Sequence, residues 1–329
     1  MTTPKSELLS WHKVRSTETL IWLIAIAAFF LFPNDLSFGT SVLVMALFVI
    51  SLDLALGFAG ILSLGHAIFF GTGAYVAGFL AIGGWNEPIS GALIAGAAAG
   101  VLGLALGPLV TRYSGLAQIM ITLSLTMIAY ELANKATWLT GGDDGLGGIE
   151  LSPLFGTFRW SVYGQTSYLY ALGWLFILFL VARMMVSSPF GVALQGFREN
   201  HSRMLLIGAP VRWHLIRVYA LSGFIAGIAG AVSTQTTKFV SLNVLSLDLS
   251  VDVLVMLVLG GVGRLYGALI GAPVYMLVHH VASEWNPYHW MFVIGGLLVF
   301  VVRFARGGVI GLLDAGYQRV MAWIGAGRT

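Results

Sequence analysis

The chain reads as an all-α protein, a polytopic transmembrane helix bundle of about ten spans with both termini cytoplasmic. Three observations give that class. Apolar residues make up 58% of the 329 residues and charged residues 9%, with a mean hydropathy of +0.88, whereas a soluble domain carries about 25% charge. Apolar runs near the length of a spanning helix, about 20 residues, recur along the whole chain. Basic residues gather between alternate runs.

The elements follow in order. A basic tail, residues 1–17, carries Lys5, Lys13 and Arg15 ahead of the first apolar run. No small-residue cleavage site follows Phe32, so that run reads as a retained helix and not a signal peptide. Within a membrane domain, 18–312, the spans fall near 18–36, 38–56, 60–82, 88–110, 116–138, 167–186, 215–236, 249–264, 265–283 and 288–304. The first is cut short by Pro33, and the eighth runs into Gly260, Gly261 and Gly263 just before Arg264. Nine spans, or one re-entrant segment, is therefore the alternative. A cytoplasmic or interfacial tail, 313–329, closes the chain.

Lysine and arginine near span ends stay on the cytoplasmic side. With both termini inside, all of the 17 Lys and Arg residues except Lys135, Arg159 and Lys238 fall on the inner face, which favours an even number of spans. The net charge of +3 is then a topology signal. The bases lack the aromatic interleaving that stacks nucleobases, so nucleic acid is not an expected partner and membrane lipid is. The chain has no cysteine, which excludes disulfides, thiolate metal sites and cysteine nucleophiles.

The third run is the most informative. Gly57 to Gly78 reads GFAGILSLGHAIFFGTGAYVAG, apolar yet broken by Gly57, Gly60, Gly65, Gly71, Gly73 and Gly78, with His66 at its centre. Lipid offers the backbone no hydrogen-bond partner, so such a segment must pack against protein or line a cavity. Gly260, Gly263, Gly267 and Gly271 repeat the signal late in the chain. The pairs Gly96/Gly100, Gly103/Gly107, Gly223/Gly227 and Gly267/Gly271 have the spacing that lets helix backbones approach; helix packing is their first reading, a subunit interface the second.

Two loops stand out. In the inner loop, 187–214, Asn200 can cap a short helix whose apolar side is Met204, Leu205 and Ile207, with Arg203 at its edge, ended by Gly208 and Pro210. That side needs a cover, either the protein's own inner surface with its headgroups or a soluble partner. The outer loop, 139–166, opens with a glycine turn that presents Asp143 and Asp144. It has too few regularly spaced oxygens for calcium, so it reads as a structural turn or as contact with an external partner.

Gly57-Phe58-Ala59-Gly60-Ile61-Leu62-Ser63-Leu64-Gly65-His66-Ala67, followed by Gly71, Gly73, Ala74 and Tyr75, resembles the signature of permease subunits of branched-chain amino acid ABC importers. Four further motifs resemble that family in order: Leu139-Thr140-Gly141-Gly142 with Asp144-Gly145-Leu146; Arg198-Glu199-Asn200 with Gly208; Leu259-Gly260-Gly261-Val262-Gly263 with Gly267 and Gly271; and Phe304-Ala305-Arg306-Gly307-Gly308.

The resemblance implies that this chain is one of two permeases, homologous or identical, forming a channel with two cytoplasmic ABC ATPases and an external substrate-binding protein. No Gly-Lys pair exists, so no phosphate-binding loop does either, and ATP with its Mg belongs to the ATPase partners. The segment Arg198 to Gly208 would couple to the ATPases. The chain departs from the family pattern with bulky Met204-Leu205-Leu206 in that segment. Asp53 stands where asparagine is common, and Met127 where an acid is expected, with Glu131 one turn later.

Candidate path residues are Ser63, His66, Asp53 and Asp252. His66 reads first as a buried hydrogen-bond donor and second as a substrate contact, since a charge at the bilayer centre costs about 2.5–3.5 kcal/mol on insertion scales. Asp53 sits near the Gly57 break, to cap the third helix or gate the inner mouth. Asp252 lies near the outer start of the eighth span, and Glu131 is spaced to pair with Lys135. A secondary transporter or channel would want paired intramembrane charges. A membrane enzyme would want a metal or nucleophile constellation, and adjacent His279 and His280 point to different sides of a helix. The expected cargo is a branched-chain or other small hydrophobic amino acid, with urea, amides or small carboxylates as alternatives.

Overall fold

The computed structural model of the chain describes residues 16–156, 158–160, 164–206, 208–285, 289–304 and 308. Most of both tails and Ile207 lie outside them, as do residues 305–307 of the last motif. Among the described residues there is no strand, only two isolated bridges, Leu146 with Val240 and Leu154 with Phe158.

Among the described residues, ten apolar helices match the ten sequence segments one for one. They are α1 (Ser16–Leu31), α2 (Leu36–Leu52), α3 (His66–Ile82), α4 (Pro88–Val110), α5 (Leu116–Lys135) and α6 (Gln165–Ser187), then, after two short helices, α9 (Val211–Thr237), α10 (Leu247–Gly260), α11 (Leu265–Trp285) and α12 (Trp290–Phe304). Among the described residues, six stretches are long and apolar enough to cross a membrane: Leu36–Phe58, Pro88–Val110, Leu116–Lys135, Gln165–Ser187, Val211–Thr237 and Leu265–Trp285. α1 has 16 residues and α10 14, fewer than the sequence reading gave them. Pro33 follows the first closely, and Gly261 at φ 114° turns the chain out of the second.

Two helices form the centre. α9 packs along α4, α3 and α2, while α10 pairs with α11 and α2 bridges to α6 and α11. Small residues permit this. A Cβ on Gly73 would overlap the backbone of Gly227, one on Gly230 the carbonyl of Phe70, and one on Gly227 the methyl of Ala99. The sequence pairs Gly96/Gly100 and Gly103/Gly107 on α4 meet Ile228, Phe224, Ala220 and Ile216 of α9. They therefore serve packing within one chain. Gly260, Gly267 and Gly271 close the α10–α11 contact in the same way, and Gly71 meets Leu245.

The inner loop contains two helices where one was expected: α7 (Pro189–Glu199) and α8 (His201–Leu206). α7 starts as its sequence allows, with Pro189 at the first position and Ser188 Oγ accepting from Gly191 N–H at 3.4 Å. Its glycines lower helix propensity and hid it. The structure uses both: Gly191 lies against the Val186 backbone and Gly196 against the Met204 sulfur. Asn200 Oδ1 accepts from Arg203 N–H at 2.9 Å, capping α8.

Candidate functional site

Where α2 should end as an α-helix it widens into a π-helix, Asp53–Phe58, and an irregular stretch, residues 59–65, follows before α3. A break inside an apolar bundle leaves backbone groups that only protein can satisfy. α5 and α10 supply the partners. Leu62 N–H donates to Gln118 Oε1 at 3.0 Å, Leu64 N–H to Thr122 Oγ1 at 3.1 Å, and Ala67 N–H to Ser250 Oγ at 3.1 Å. Thr126 Oγ1 donates to the Leu64 carbonyl at 3.2 Å, and Gln118 Nε2 to that of Val110 at 3.1 Å. The sequence reading missed these residues. The signal was present, since Gln118, Thr122 and Thr126 recur every fourth position and so share one helix face.

His66 is fully buried. Its Nε2 lies 2.6 Å from Ser222 Oγ, which donates to the Ser51 carbonyl at 2.5 Å, so Nε2 carries a proton and donates to Ser222. Ser63 Oγ lies 3.5 Å from Nδ1 and accepts from Gly65 N–H at 3.2 Å. Phe48, Phe69 and Tyr219 surround the ring. His66 thus joins α3 to α9 and α2, and in this conformation it has no face open to a ligand.

Asp53 is also fully buried. Its Oδ1 accepts from Gly263 N–H at 2.7 Å. The carboxylate therefore caps the glycine turn between α10 and α11, and the expectation that it caps the third helix gives way. Its other oxygen has no hydrogen-bond partner among the described residues. The Arg198 guanidinium of α7 acts electrostatically on it and donates to the Gly57 carbonyl. Glycine is required here. A Cβ on Gly57 would overlap Asp53 and Gly263 N, one on Gly263 would sit 2.8 Å from Arg198 Nη1, and Gly60, at φ 72°, lies beside the Arg198 stem. Three separate segments thus converge at one end of the bundle: the π-turn, the glycine turn and the inner loop.

The remaining candidates sit apart. Asp252 is half-buried and accepts from Tyr275 O–H at 2.5 Å, joining α10 to α11. Glu131 and Lys135 form no ion pair; both are exposed, where hydration competes with pairing. Asp143 and Asp144 are exposed in a 3-10 turn, Gly142–Asp144. That turn is fixed by Thr140 Oγ1 donating to the Ala133 carbonyl at 2.5 Å and by the Leu146–Val240 bridge. In α8, Arg203 is exposed and Met204 is half-buried, turned toward Gly196, and Gly208 beyond the helix is exposed. Glu199 and Asn200 are exposed as well. The apolar surface α8 shows outward is Leu205, 53% exposed, with Leu206, 87% exposed, two of the bulky residues by which the sequence departs from the family pattern.

Residues 34–302 match the family described as "Branched-chain amino acid transport system / permease component". The chain is 26% identical over 321 residues to the "High-affinity branched-chain amino acid transport system permease protein LivM" of Escherichia coli (strain K12), covering 88% of this chain and 74% of that protein. It is 27% identical over 317 residues to the protein of the same description from Salmonella typhimurium, covering 88% and 73%. No solved structure matches. With a family match spanning most of the chain and a helical bundle built to lie in a membrane, the chain belongs to the permease components of branched-chain amino acid transport systems, a multi-pass inner-membrane transport subunit and not an enzyme.

Proposed function

We propose that this chain is a permease subunit of an ATP-driven importer for branched-chain or other small hydrophobic amino acids, delivered by an external binding protein. It crosses the membrane ten times with both termini in the cytoplasm. The observation that carries the coupling part is Arg198, which runs from the inner loop onto the Gly57 carbonyl beside Asp53. Displacing α7 and α8 must pull on that carbonyl, and through Asp53 on the Gly261–Gly263 turn. An ATPase seated on Leu205 and Leu206 would thereby move the inner ends of α2, α10 and α11 together. Ser63, His66, Asp53 and Asp252 then act as supports of the moving parts more than as substrate contacts.

A second permease completes the path. Among the six long apolar stretches α5 has the least cover, 22% of its most apolar part buried against 83% for α9, and its exposed side carries Ser124, Met127 and Glu131. The two polar residues there, Ser124 and Glu131, on a poorly covered span suit a water-filled passage shared by two subunits. The exposed acids of the outer turn, Asp143 and Asp144, suit the binding protein.

The test is a Leu205→Asp/Leu206→Asp double variant. Both side chains are already exposed, so insertion should be normal, while association with the co-expressed ATPases and amino acid uptake should be lost. Unchanged association and uptake would sink the coupling assignment. A cysteine placed at Ser202 in this cysteine-free chain should label from the cytoplasm alone.

A further inference from the structure

A groove of about 510 Å³ runs between α4 and α9. Its floor is Ala97, Gly100 and Ala220, small residues that let the two helices approach, and its sides are Val101, Leu104, Leu221 and Phe224. Phe190 of α7 closes one end, stacked on His214 with ring centroids 5.4 Å apart. Arg217 is the single charged residue in the lining. It is exposed, and it forms no hydrogen bond or ion pair among the described residues.

Position along the helix gives the groove a polarity. Trp213, Arg217, Leu221 and Phe224 recur at helical spacing on one face of α9, with Trp213 64% and Leu221 41% exposed. Arg217 stands roughly 9 Å inside the start of α9 at 1.5 Å per residue. Near that start Arg212 donates to the Pro108 carbonyl at 3.3 Å, fixing the helix ends, and Arg112 lies over the Tyr113 ring at 5.9 Å. The inner end is thus aromatic and cationic, as at a headgroup layer, and the rest is aliphatic, facing the acyl region. An unpaired guanidinium at that depth needs an anion.

We infer that the groove binds one anionic glycerophospholipid, its phosphate on Arg217 beside Trp213 and an acyl chain along Val101, Leu104 and Leu221. Basic pockets between helices near the cytoplasmic face hold such headgroups. A helix of a partner subunit would have to bring a carboxylate to the same depth, whereas a phospholipid carries charge and chain in the order the groove presents them. The site rests on the bundle crossing a membrane and is independent of the ATPase coupling.

The experiment is native mass spectrometry of the full chain released from nanodiscs of equal parts phosphatidylglycerol and phosphatidylcholine. The natural chain should retain a phosphatidylglycerol molecule. Arg217→Gln should lower its retention roughly fivefold, the worth of one basic contact at a membrane surface, and Leu221→Trp should lower it by filling the groove. Arg217→Lys and Lys238→Gln should keep it. Equal retention by the natural chain and Arg217→Gln would overturn the assignment. So would efficient disulfide cross-linking between two Leu221→Cys copies, which would make this face a subunit interface.

Discussion

The two glycine-rich breaks in this bundle are held in different ways. Between α2 and α3, residues 59–65 and the first turn of α3 are clamped by neutral groups from neighbouring helices, Gln118, Thr122 and Ser250, each spending a side-chain hydrogen bond on one backbone amide. Between α10 and α11, the turn at Gly261–Gly263 is held by a carboxylate that answers one amide with Asp53 Oδ1 and leaves its second oxygen unpaired. Its nearby cation, Arg198, comes from α7. Hydroxyl and amide clamps at fixed helix positions make a static joint. A buried carboxyl group whose basic neighbour belongs to another segment is the joint that the proposed movement of that segment would disturb.

The difference can be broken or sharpened by substitution. The largest effect is expected where both breaks depend on the same scaffold. Gly73→Leu on α3 would drive a side chain into the Gly227 backbone, an overlap no rotamer relieves. The protein should still insert but should fail to give a monodisperse peak on gel filtration; a monodisperse, transporting variant would show that α3 and α9 can separate. Next comes the charged joint. Arg198→Ala should leave ATPase association intact yet cut uptake in proteoliposomes by about tenfold or more, within the usual range of coupling energies. Uptake at the natural level would reduce Arg198 to a packing residue. The smallest effects separate the joints by stability. Asp53→Ala leaves the Gly263 amide unpaired and should cost about 1–3 kcal/mol in detergent unfolding, with Asp53→Asn restoring most of it. Thr122→Val at the neutral joint should cost only about 0.6 kcal/mol, the mean for a side-chain hydrogen bond within a membrane bundle, and should leave uptake near normal.

The outer face offers a parallel case. The Asp143–Asp144 turn is built on backbone, with Gly141, Gly142 and Gly145 all at positive φ and a Cβ at Gly145 blocked by the Val240 carbonyl. Its acids are therefore displayed on a rigid platform. The inner loop instead shows Leu205 and Leu206 on a six-residue helix anchored through Met204, next to α7, whose Arg198 reaches the Gly57 carbonyl.

The sequence by itself determined the class, the ten apolar segments and the places where they break. Each depends on local chemistry: mean hydropathy over a window, basic residues at span ends, and glycine where a side chain cannot fit. Asn200 was legible as a cap because its partner lies three residues away. What the tertiary structure alone decided was the use of polar side chains inside the bundle. Asp53 finds Gly263, 210 positions away, and His66 finds Ser222, 156 positions away. α7 lay hidden because Gly191 and Gly196 argue locally against a helix, while their value, contact with Val186 and Met204, exists only after packing. Periodicity reports which face of a helix is apolar; it carries no record of which buried amide a carboxylate or hydroxyl will meet, since that depends on helices brought together by the fold.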